Sequence, residues 1–98
     1  MIIINKNEGE KIPYEVTGTR ICFDDELTVN LQKYEQDDPV HIDICYDRRK
    51  NLMLGTVRAK AYVAEIDIPA RQYEPGEDGA LTPVALDMDT VTLTLWAI

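Results

Sequence analysis

Ninety-eight residues are enough for one hydrophobic core and too few for two, so a single domain over 1–98 is expected. With 45% hydrophobic and 29% charged residues, the composition is that of a soluble globular protein, and no apolar run approaches the ~20 residues that span a bilayer. Ten Lys and Arg against 18 Asp and Glu leave a net charge of −8, which argues against direct contact with nucleic acid or an anionic membrane, since phosphate binding needs cations.

Ile2, Ile3 and Ile4 predict a short strand with apolar residues on both faces, expected to be central or covered on both sides. The opening MIIIN is too short for a signal-peptide core and has no basic residue before it, so a cytoplasmic protein is expected. Ile12, Tyr14 and Val16 alternate with polar residues, and Pro13 lacks an amide donor, so this strand belongs at an edge or pairs only after Pro13. Thr17-Gly18 then breaks the phase, as a tight turn or a glycine bulge. Ile21 and Phe23 follow, closed by the acidic loop Asp24-Asp25-Glu26. Leu27, Val29 and Leu31 predict a half-buried strand ending in a second acidic turn, Glu35 to Pro39.

Val40, Ile42, Ile44 and Tyr46 make a clear inward face opposite His41, Asp43, Cys45 and Asp47, and Asp47 to Asn51 is a hairpin tip. Thr56 to Ile68 contains no Gly, Pro or Asn and predicts one long strand. Its apolar phase switches after Val63, so a bulge is expected near Val63–Glu65, with Glu65 and Asp67 turned outward beyond it. A helix over 56–68 is the competing reading, because Val57, Ala61, Ala64 and Ile68 also sit at helical spacing. Ala70 to Pro83 predicts one extended loop, followed by short Val84-Ala85-Leu86 and Asp87-Met88-Asp89. Thr90 to Ile98 alternates almost perfectly and predicts a terminal strand with an uncovered edge. Strands every eight to twelve residues point to an all-β, antiparallel β-sandwich or small barrel, or to an α+β fold if 56–68 is helical.

Catalytic chemistry finds little support. The chain has no serine, and a regular strand separates His41 from Cys45 by ~13 Å, which prevents a nucleophile–base pair. Cys22 and Cys45 are expected as free thiols; with His41 they form at most a weak metal-site signal. Asp87 and Asp89 on one strand face would lie ~6.6 Å apart, near the separation of glycosidase carboxylates, but without supporting residues beyond Trp96. Neither they nor the acidic turns complete a calcium loop, so no metal and no cofactor is expected.

The function expected is therefore non-catalytic. A rim of acidic turns, Asp24, Asp25, Glu26, Asp37, Asp38, Glu77 and Asp78, would engage a basic protein surface. An acidic inhibitor or accessory protein of the type encoded by phages and mobile elements has this size and charge. Arg48, Arg49 and Lys50, together with Trp96, form the alternative contact. The rival functions are a structural subunit that forms homo-oligomers through strand edges and a small hydrolase using Asp87 and Asp89.

Overall fold

The computed structural model describes residues 1–98. The chain is 45% strand and 7% helix, arranged in three sheets with no closed barrel. Ten strands run in order: β1 (Ile2–Asn5), β2 (Tyr14–Thr17), β3 (Arg20–Phe23), β4 (Leu27–Asn30), β5 (Val40–Tyr46), β6 (Leu52–Leu54), β7 (Ala61–Ile68), β8 (Tyr73–Pro75), β9 (Leu81–Pro83) and β10 (Thr92–Leu95). A single helical turn, α1 (Leu31–Tyr34), follows β4, and a 3-10 turn covers Met88–Thr90.

The main sheet has the order β1-β10-β7-β5-β6, with β1 parallel to β10 and the other pairs antiparallel. The second sheet is the meander β2-β3-β4, and β8 pairs only with β9. Alternation along each strand sends Ile42, Ile44, Ala64, Ile66, Ile68, Leu93 and Leu95 to one side of the main sheet, where they join Ile12, Ile21, Phe23, Val29 and Leu31 in one buried cluster. Two sheets thus share one core, as expected for a sandwich. The parallel β1–β10 pair is the departure from an antiparallel plan.

Thr17-Gly18 is a turn: Thr17 pairs with Arg20 across a two-residue loop, and Gly18 supplies the left-handed φ of 60° that its first position needs. β2 lies at a sheet edge and begins just after Pro13, consistent with the missing amide donor. The phase switch in β7 is a bulge. Ala64 lies opposite Ile44 and Tyr62 opposite Cys45, so Val63 has no partner across the pair. Val63, Ala64, Ile66 and Ile68 are all buried, as the two phases of the pattern require.

Five expectations need correction. Thr56 to Lys60 is neither strand nor helix but a turn closed by Ala59 N–H on the Thr56 carbonyl, with Arg58 at φ 65°. A left-handed arginine announces no turn in a sequence, because that conformation is unfavourable for L-residues and is imposed here by the surrounding fold. β1 is an edge strand, with Ile2, Ile3 and Ile4 between 40% and 51% exposed. β10 is interior, covered by β1 on one side and β7 on the other. Leu31 is buried from the first residue of α1, not from a strand. The loop Ala70–Pro83 contains the β8–β9 hairpin, whose prolines occupy strand ends, where a missing amide donor is tolerated.

Candidate functional site

Register decides what the outer face of the main sheet carries. β5 and β7 pair with His41 opposite Asp67 and Asp43 opposite Glu65, and β10 and β1 continue those rows with Thr92 and Ile2, then Thr94 and Ile4. One imidazole therefore stands among three carboxylates at the centre of the sheet. His41 Nδ1 lies 2.6 Å from Asp67 Oδ1, and Nε2 lies 2.9 Å from Asp43 Oδ1 and 3.5 Å from Glu65 Oε1. Asp43 and Glu65 are 21% and 22% exposed against 53% for Asp67, so the two carboxylates that share Nε2 are the more enclosed.

A third row closes this cluster at one end. The Trp96 amide donates to the carbonyl of the bulged Val63, which anchors the chain just past β10. Its Nε1–H donates to Glu65 Oε2 at 2.7 Å. Tyr62 stacks on the indole at 5.0 Å between centroids, and the Lys6 ammonium lies 5.4 Å from the ring centroid.

The electrostatics follow from this geometry. The hydrogen bond to Asp67 is the largest influence on His41 and raises its pKa; partial burial opposes this, and Asp43 adds to the rise. Burial, with Asp43 and Glu65 nearby, pushes the Cys45 thiol up, and the same causes raise the Tyr62 phenol. Cys45 alternates with His41 and Asp43 yet is fully buried. Both cysteines are free. Cys22 alternates with the core residues Ile21 and Phe23, so it faces away from the main sheet and cannot join His41 in a metal site.

The acidic turns do not form one rim. Asp37 and Asp38 stand before β5, where Asp37 accepts from the Tyr73 hydroxyl and lies 3.6 Å from Arg71. Asp24, Asp25 and Glu26 stand near the other end of β5, with the Glu26 carboxylate accepting from Leu52 N–H. The seven residues of β5 separate these groups by roughly 20 Å. Glu77 and Asp78 occupy the β8–β9 tip, where Asp78 accepts from Ala80 N–H. Arg48, Arg49 and Lys50 form the β5–β6 tip, held by Asp47 Oδ1 accepting from Arg49 and Asn51 amides. Asp87 and Asp89 do not share a strand: Asp87 caps the 3-10 turn by accepting from Asp89 N–H, which removes the paired-carboxylate geometry of a glycosidase. No family model, curated protein or solved structure matches the chain. No helix is long and apolar enough to cross a membrane.

Sequence reasoning placed Glu65 and Asp67 outward and His41 and Asp43 on one strand face. It did not bring the two pairs together, because that needs the β5–β7 register. The available signal was the mirror-like polar pattern, His-Ile-Asp in β5 against Glu-Ile-Asp in β7, which puts ionisable side chains side by side in an antiparallel pair.

Proposed function

We infer that this chain is a non-catalytic interaction module that binds a basic protein surface through the outer face of its main sheet. The observation that carries the reading is the row pairing of Asp43, Glu65 and Asp67 around a single imidazole, beside a stacked Tyr62–Trp96 pair. Carboxylates accept from Lys and Arg, and aromatic faces attract the same cations; the chain's own Lys6 over Trp96 is an example of that second contact. Strands hold the three carboxylates, His41 and Tyr62, and Trp96 directly follows β10, so little ordering is needed on binding. The turns Asp24–Glu26 and Asp37–Asp38, near opposite ends of β5, extend the negative field that steers a basic partner. An inhibitor or accessory protein of phage or mobile-element type remains the biological setting that size and charge suit best.

The test is binding to an array of Lys- and Arg-rich peptides in EDTA, with neutral and acidic peptides as controls. Wild type should bind the basic set in a manner that weakens with salt, and the Asp43→Asn, Glu65→Gln, Asp67→Asn triple variant should lose at least tenfold in affinity. Equal binding by wild type and triple variant would move the interface elsewhere, with Arg48–Lys50 the next candidate.

The second reading, assembly with further copies of the chain, has its own observation in the edge strand β1. Ile2, Ile3 and Ile4 are exposed and one side of the strand has no neighbour. Light scattering across a hundredfold range of concentration separates a monomer from such an assembly.

A further inference from the structure

We propose that His41, Asp43 and Glu65 form a binding site for one divalent transition-metal ion of the zinc class. The inference concerns the metal alone and does not depend on any protein partner. One nitrogen and two carboxylate oxygens, one from each residue, lie within 4.8 Å of one another. An ion about 2.1 Å from each donor in tetrahedral geometry needs donor separations of about 3.4 Å. Nε2 to Glu65 Oε1 is already 3.5 Å and Nε2 to Asp43 Oδ1 is 2.9 Å, so two of the three donor pairs stand near the separation an ion requires. Two carboxylates and a neutral imidazole balance a 2+ charge, and the site's position on the open sheet face leaves at least one coordination position for water.

The surroundings of two of these ligands fit a metal site as well as the ligands do. Asp67 accepts from Nδ1–H of His41, which holds the ring in place, and Nε2, whose N–H donates to Asp43 in the metal-free protein, faces Asp43 and Glu65, so a metal ion would displace that proton. Such a carboxylate behind a histidine is the usual support of a metal-bound imidazole and raises its basicity. Trp96 Nε1–H holds Glu65 Oε2, which leaves Oε1 as the atom nearest the imidazole. A lone acidic cluster would lack both the nitrogen donor and this orientation. The donor set also indicates which metals bind. Imidazole with carboxylates suits Zn²⁺, Co²⁺, Ni²⁺ and Mn²⁺, whereas Ca²⁺ and Mg²⁺ prefer oxygen ligands alone.

Trp96 is the only tryptophan and touches a proposed ligand, so its fluorescence reports on the site. The experiment titrates EDTA-treated, dialysed protein at pH 7.5 with Co²⁺, Ni²⁺, Zn²⁺ or Mg²⁺ alone. Co²⁺ and Ni²⁺ should quench Trp96 to saturation at one equivalent, Zn²⁺ should displace Co²⁺, and Mg²⁺ at a hundredfold excess should do neither. His41→Gln should weaken Co²⁺ binding at least a hundredfold. Asp67→Asn, which touches no metal, should weaken it ten- to a hundredfold. Asp24→Asn with Asp25→Asn, at a remote acidic turn, should leave it unchanged. Circular dichroism confirms that each variant is folded, and Glu65→Gln provides a second ligand variant should His41→Gln fail to fold. The proposal is overturned by absence of saturable binding, by equal affinity in wild type, His41→Gln and Glu65→Gln, or by equal loss in the Asp24/Asp25 control.

Discussion

The two faces of the five-stranded sheet are built from the same strands and differ in almost everything else. The inner face of β7 presents Ala64, Ile66 and Ile68, all between 0% and 1% exposed; the outer face of the same strand presents Glu65 and Asp67. Inner residues are constrained by volume, because a close-packed core responds to a single methylene. Outer residues are constrained only by what they meet across the rows, and here those neighbours are ionisable. Period-two alternation thus separates the residues that specify the fold from those that carry its chemistry, one position apart along the chain.

The sharpest way to break that comparison is a pair of substitutions at neighbouring positions in β7. Ile66→Ala should destabilise the protein by roughly 2–5 kcal/mol, since the methylenes leave a cavity at the sheet centre. Glu65→Gln should cost about 1 kcal/mol or less, because glutamine can still accept from Trp96 and relieves repulsion with Asp43. Urea denaturation of metal-free protein measures both, and similar costs at the two positions would dissolve the distinction between faces.

A smaller effect sharpens the outer face specifically. The folded-state pKa of His41 is raised, first by its bond to Asp67. The charged imidazole therefore stabilises the fold fully below its ordinary value of 6.5, and this contribution disappears as pH rises through the higher folded value. Asp43 on β5 and Glu65 and Asp67 on β7 are the charged groups facing it. In EDTA, His41→Gln should lower the melting temperature at pH 5.5 and converge with wild type at pH 9. Parallel curves at both values would show that the imidazole charge does not act on stability.

The smallest effect belongs to the acidic turns. Replacing Asp24, Asp25, Asp37 and Asp38 together with Asn should change stability little, since Asn tolerates the left-handed φ of 51° and 53° found at Asp24 and Asp25. Chemical denaturation checks this; marked unfolding would show that the Asp37 contacts to Tyr73 and Arg71 hold the β8–β9 hairpin in place.

Much of the fold was legible because burial leaves a periodic trace. The Val63 phase switch disclosed the bulge, and Thr17-Gly18 disclosed the first hairpin. What stayed hidden depended on partners far along the chain. The triplet Ile2-Ile3-Ile4 reads as a buried strand until one knows that only β10 lies beside it. The turn at Arg58 has no turn residues, and the β8–β9 hairpin is masked by its prolines. The site was half legible: alternation oriented His41, Asp43, Glu65 and Asp67, but the β6 excursion between β5 and β7 conceals the register that unites them.

The parallel pairing of Ile2 with Thr92 has a consequence for synthesis on the ribosome. β1 precedes its neighbour β10 by about ninety residues, so it cannot pair until every strand between them has emerged. Until then three consecutive isoleucines of high β-propensity are unprotected, with Lys6 and Glu8 the nearest charged side chains. Loop closure over this distance costs little more than over half of it, so equilibrium stability is hardly affected. The exposure is instead one of time: the nascent chain carries a sticky strand while the eight strands between β1 and β10 are made.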